Sequence, residues 1–132
     1  MEIEIVGVAD AGDLEKERLA LKIVKSCDLG YFLVLDGLRL ENGEVSTRVR
    51  QPYWFPDKKV KVGDRILLYT KKGVGPKQRT GDDGSTTYCF YRQLESTVWN
   101  RGGNTVLVLS LLEWISKRYG KAENQSEASA VS

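Results

Sequence analysis

The stretch from Gln51 to Thr70, QPYWFPDKKVKVGDRILLYT, restricts this chain more than any other, because it suits neither a long helix nor one continuous strand. The aromatic triplet Tyr53-Trp54-Phe55 runs into Pro56-Asp57, a pairing that stops a strand and starts a turn. A short basic segment leads to Val62-Gly63-Asp64, a second turn signal. Arg65-Ile66-Leu67-Leu68-Tyr69 then re-enters a strand, being rich in β-favouring residues.

The same grammar runs through the rest of the chain. Glu2 to Val8 alternates, with Ile3, Ile5 and Gly7 on one face, as a half-exposed strand does. Arg18 to Val24 alternates again, setting Leu19, Leu21 and Ile23 against Arg18, Ala20 and Lys22. Ser26 to Gly30 carries a turn, and Tyr31 to Leu35 is a continuous apolar run that suits a strand buried on both faces. Asp36-Gly37 has the residues for a tight hairpin, while Asn42-Gly43 is the strongest turn signal in the chain. Val45 to Arg50 returns as an exposed strand, and Tyr88-Cys89-Phe90-Tyr91 and Thr105 to Leu109 are two more. Ser110 to Tyr119 fits a strand followed by a short helical turn; a helix capped by Ser110 and stopped by Gly120 is the alternative. Lys71 to Thr87, with four glycines and a proline, is expected to be a long flexible loop without regular structure.

At 132 residues without internal repeats, the chain is expected to form one domain over residues 1–119, followed by a disordered polar tail at 120–132. The absence of histidine excludes Ser-His-Asp and Cys-His machinery and His-ligated zinc. The glycines of 71–87 lack the Gly-Lys-Ser/Thr ending of a phosphate loop, and Asp82-Asp83-Gly84 lacks the alternating ligands of a calcium loop. The expectation is a protein that is not an enzyme and has no cofactor and no metal. Met1-Glu2-Ile3-Glu4 is strand-like and acidic, and no apolar run approaches the roughly 20 residues that span a bilayer. A cytoplasmic protein without a membrane partner is expected, with Cys27 and Cys89 as free thiols in apolar strands.

About eight or nine short strands separated by Gly, Asn and Asp turns make an all-β sandwich or barrel. From Leu29 onward their order resembles a lamin-tail domain. Asp28-Leu29-Gly30-Tyr31-Phe32-Leu33 is similar to that family's Leu-Gly-aromatic strand, and Tyr53-Trp54-Phe55-Pro56 to its aromatic-x-Phe-Pro signature. Val60 to Leu68 resembles its glycine-then-strand segment, and Val98-Trp99-Asn100-Arg101-Gly102-Gly103-Asn104-Thr105-Val106-Leu107 its Trp-Asn-x-Gly-Gly-Asp hairpin. The resemblance covers residues 17 to 112 and departs at Asn104, where aspartate is usual, and at the closing LLEWISKRYG. It implies an immunoglobulin-like β-sandwich in a small stand-alone member of bacterial type, acting as a binding or scaffold module with protein and DNA partners. Val62-Gly63-Asp64 also resembles the hairpin turn of small β-barrels such as the oligonucleotide-binding fold.

Charge is unevenly spread. Between Arg48 and Arg79 ten basic residues face only Asp57 and Asp64, a local balance of +8 in a chain of net charge +2. Residues 1–18 carry six carboxylates against Lys16 and Arg18, a balance of −4. Such a dipole suits a steered partner: an acidic protein face, another copy of the chain, or nucleic acid. The candidate binding surface is Arg48, Arg50, Tyr53, Trp54, Lys58, Lys59 and Lys61, continued by Lys71, Lys72, Lys77 and Arg79. A protein partner or self-association is the first expectation and nucleic acid, stacking on Tyr53 and Trp54, the alternative. Trp99 is expected in the core, across the Gly102-Gly103 turn from Val106 or Val108, and Trp54 at least partly exposed.

Overall fold

The computed structural model describes residues 1–45, 50–99 and 104–120, and among these the protein is all-β with no α-helix. Five strands, β1 (Ile3–Ala9), β2 (Arg18–Ile23), β7 (Arg65–Tyr69), β9 (Thr86–Tyr91) and β8 (Lys77–Thr80), make one mixed sheet in the order β1-β2-β7-β9-β8. A second sheet has the order β10-β4-β5, from β10 (Asn104–Ser110), β4 (Phe32–Leu38) and β5 (Arg50–Trp54). The two-residue strands β3 (Cys27–Asp28) and β6 (Lys59–Val60) pair with each other. All pairings are antiparallel except β7 with β9, which run parallel. Neither large sheet closes into a barrel among the described residues.

Alternation explains where the core sits. Leu19, Leu21 and Ile23 of β2, Ile66 and Leu68 of β7 and Phe90 of β9 point inward and meet Phe32 and Val34 of β4, with Phe55 and Val60 completing the cluster. Val106 and Val108 of β10 pack against it from the second sheet. Burial of this apolar set is the main stabilising term, at about 25 cal/mol per Å² of area removed from water. In β1 a bulge between Ile5 and Gly7 shifts the register, so Ile3 is buried, Ile5 is exposed and Val8 reaches the core.

Several sequence expectations change here. Asp36-Gly37 closes no hairpin: β4 runs straight through it, and a Cβ on Gly37 would lie 2.9 Å from Val45 and 3.0 Å from Leu107. The chain turns instead at Asn42-Gly43, where Gly43 has φ +87° and Leu40 N donates to the Glu44 carbonyl at 2.6 Å. The 71–87 segment is not structureless. Gly81 to Ser85 makes a tight turn, with Gly84 at φ +82° and Gly81 N donating to the Ser85 carbonyl at 2.8 Å, and this turn joins β8 to β9. At 26–30 the turn is preceded by β3 and formed as a 3-10 turn, Leu29–Tyr31, capped by Asp28, whose carboxylate accepts from Gly30 N at 2.9 Å.

Residues 111–119 form neither a strand nor a helical turn. An isolated helix of this length is unstable without a packing face, and Trp114 is held elsewhere, edge-on against Tyr31 (5.5 Å) and Trp54 (4.9 Å). Leu111 N donates to the Tyr31 carbonyl at 2.8 Å, tying down the start of this arm. Of the expected disordered tail at 120–132 all but Gly120 lies outside the described residues, as does the Arg101-Gly102-Gly103 turn.

Candidate functional site: a basic sheet face

Inward alternation on β2, β7 and β9 fixes what their other face presents. Lys22 lies opposite Arg65, Arg65 beside Thr87, and Thr87 opposite Arg79, so three cations share one row across four adjacent strands. Lys77, opposite Cys89, stands in the next outward row, and Tyr69 and Tyr91 stack at 5.6 Å in the row beyond. Like charges directly opposite on antiparallel strands destabilise a sheet, and Lys22 and Arg65 are such a pair, with Glu4 of β1 opposite Lys22 at the end of the row. Among the described residues the ion pairs involve Arg18, Arg50, Lys71 and Lys72, and none involves Lys22, Lys61, Arg65, Lys77 or Arg79.

The turns beside this row are braced from beneath by Asp64, which is buried. Its carboxylate accepts from Lys61 N (3.0 Å) and from Thr86 N (2.9 Å), locking the 61–64 turn to the start of β9. Between this turn and the 83–85 turn lies a cleft of about 400 Å³ lined by Lys22, Lys61, Arg65 and the Asp83-Gly84-Ser85 turn. Asp83 accepts from Ser85 N and Ser85 Oγ, which with Arg65 nearby hold its carboxyl below the usual range against a small opposing effect of burial.

The structure divides the basic strip between places. Lys61, Lys77 and Arg79 join Lys22 and Arg65 on the outer face. Lys71 sits over the Tyr69 ring at 5.5 Å and pairs with Glu15 at 3.6 Å, and Lys72 is held by Glu95 at 2.6 Å. Lys58 lies over Tyr88 at 5.2 Å, on a residue packed against the core, and Lys59 is exposed on β6. Arg50, Tyr53 and Trp54 belong to β5 of the other sheet. Arg50 faces Asp36 at 3.8 Å, and Tyr53 packs edge-on against Phe55 at 5.1 Å, where burial raises its hydroxyl pKa against the pull of Arg92. Trp54 is 45% exposed and donates to the Gly30 carbonyl at 2.7 Å. The two aromatics therefore do not share a surface with Lys22, Arg65, Lys77 and Arg79 of the five-stranded sheet. Arg48 lies outside the described residues.

A second polar group is internal. Glu17 is fully buried and accepts from Gly12 N (3.0 Å), Thr70 Oγ1 (2.5 Å), Val98 N (2.9 Å) and Trp99 N (3.1 Å). Burial pushes its pKa up, but these donors together outweigh that and leave it lowered. Trp99 is buried as expected, with the Arg92 guanidinium over its ring at 5.7 Å. Burial brings Arg92 down to about 10, opposed by Asp36, Glu17 and Tyr53, and its guanidinium donates to the Gln51 carbonyl. Among the described residues Arg92 Nη1, Trp99 Nε1 and Asp36 Oδ2 find no hydrogen-bond partner.

Among the described residues no three His, Cys, Asp or Glu side chains are grouped to hold a metal ion, and no helix is long and apolar enough to cross a membrane. The chain matches no family model, no curated protein and no solved structure. Sequence reasoning left out Lys22 and Arg65 as site residues, although the alternation of β2 and β7 already turns both away from the core.

Proposed function

We propose that this chain is a non-catalytic binding module that engages an acidic protein partner through the outer face of its five-stranded sheet. The observation that carries this reading is the in-register row Lys22, Arg65 and Arg79, extended by Lys61 and Lys77, with none of the five in an ion pair among the described residues. Burying or pairing like charges with an acidic surface relieves the repulsion that the free face carries. Two sheets packed around a common core are consistent with a sandwich, and its immunoglobulin-like, lamin-tail form is part of this proposal.

One observation favours nucleic acid as the second reading: the stacked Tyr69–Tyr91 pair lies on the same outer face. The rings stack on each other, with Lys71 over Tyr69 and Gly73 against Tyr91, so a base meets their partly exposed edges, and each phosphate contact adds to the salt slope of the affinity. The two readings separate in one assay, titrating the protein with polyglutamate and with a single-stranded oligonucleotide at 50 mM salt. The partner reading expects saturable polyglutamate binding that Arg65→Glu with Arg79→Glu abolishes, and weaker binding of the oligonucleotide. Tighter oligonucleotide binding, falling roughly a hundred-fold by 200 mM salt for about five phosphate contacts, replaces the first reading with the second. Binding of neither ligand overturns both.

A further inference from the structure

We infer that the cleft between the 61–64 turn and the 83–85 turn is a phosphate-group site. It rests on the reading of the outer face as an anion-seeking surface and narrows it to one place and one chemistry. Three cations reach this cleft from separate backbone positions: Lys22 from β2, Lys61 from the turn and Arg65 from β7. The single carboxylate on its wall, Asp83, is already engaged by Ser85 N and Ser85 Oγ. The cleft therefore carries a net positive charge that no described side chain neutralises through an ion pair.

The volume and the number of donors select the ligand. About 400 Å³ accommodates a tetrahedral oxyanion with its first waters and is generous for a carboxylate alone. A phosphate dianion offers three terminal oxygens to three cationic groups, and arginine meets such oxygens in a forked geometry that a planar carboxylate uses only once. Preorganisation comes from Asp64. By holding Lys61 N and Thr86 N it fixes the spacing of the two turns before any ligand arrives. Phosphate is presented either free, as the inorganic ion or a small phosphomonoester, or on a phosphorylated side chain of the acidic partner.

The test is an amide-shift titration of the whole chain at constant ionic strength with inorganic phosphate, acetate and a short phosphoserine peptide. Saturable shifts at Val62, Gly63, Gly84 and Ser85 are expected with phosphate, at an affinity about tenfold above acetate, since the dianion's second charge adds to its attraction for three cations. Arg65→Gln and, separately, Lys22→Gln should each weaken it about tenfold, while Lys16→Gln, an exposed cation outside both the cleft and the basic row, leaves it unchanged. A phosphopeptide that binds tighter than inorganic phosphate assigns the site to a modified partner; equal or weaker binding assigns it to the free ion. Equal responses to phosphate and acetate, non-saturating shifts, or indifference to both cleft variants overturn the inference. Polyglutamate binding without phosphate binding removes the cleft and keeps the proposed function. Phosphate binding without polyglutamate binding does the reverse.

Discussion

Burying the Glu17 carboxylate costs several kcal/mol of lost hydration unless donors replace the water, and four donors from three separate chain segments do so. Glu17→Ala would leave the buried Val98 and Trp99 amides and the Thr70 hydroxyl unpaired. A loss of about 3–5 kcal/mol in urea unfolding is expected, at about 1–3 kcal/mol for each buried donor left unsatisfied and less the desolvation the carboxylate no longer bears. Because the folded pKa lies below the ordinary glutamate value, the unfolded chain binds the proton first. The contribution is thus complete above the unfolded pKa of about 4.3 and is lost as pH falls through the lower folded value. The gap between wild type and Glu17→Gln should therefore narrow between neutral pH and pH 3; a constant gap would contradict this assignment. The thiols make a second test at this scale. Burial, then Glu2 and Asp28, raise Cys27 to about 11, and burial raises Cys89 against the opposing pull of Lys77. At pH 8 the folded protein should react with a thiol reagent at least about a hundredfold more slowly at Cys27 than a free cysteine, since thiolate is the reacting species. Both should titrate fully after denaturation without reductant, and a missing thiol would mean a disulfide.

At the scale of elements, the arm after β10 is held at few points. Leu112 and Ile115 are 96% and 98% exposed, and Trp114 alone docks, through Tyr31 and Trp54. Two edge-on aromatic contacts at about 0.5–1.5 kcal/mol each imply that Trp114→Ala frees the arm without unfolding the sheets. Exchange at the Leu111 amide should accelerate about tenfold or more, while amides of β4 and β10 stay protected; simultaneous loss in all three would refute a separate arm. The elements also show what pattern can and cannot reveal. β2 and β7 were legible because a two-residue period has one explanation when one face is buried. The Asn42-Gly43 turn was legible because few residues accept its φ. Asp36-Gly37 misled because local turn chemistry is silent about Leu107 and Val45, which close over Gly37 from distant sequence. β8 was hidden because its KQRT is exposed throughout and carries no apolar signal. The basic segment was visible as composition, but its partition between two sheets depends on the parallel β7–β9 pairing, which no local pattern encodes.

Across the whole molecule, the outer face runs from an acidic edge to a basic one. β1, carrying Glu4 opposite Lys22, borders the sheet on one side, and β8, carrying Lys77 and Arg79, borders it on the other. Charged edge strands discourage pairing with a second sheet, and their opposite signs also orient an approaching partner. An acidic ligand is drawn toward β8 and the cleft and repelled from β1, so the field acts on encounter more than on the bound contacts. Glu4→Lys reverses the charge opposite Lys22 while leaving the five cations of the proposed site themselves unsubstituted. The association rate of polyglutamate should rise about twofold or more at 50 mM salt, with dissociation little changed, as expected for a charge at the rim of an interface. At 200 mM salt, where the screening length is under about 10 Å, the difference should largely vanish. If the variant instead alters dissociation at both salt concentrations, the ligand touches β1 itself, and the bound surface extends across the whole sheet.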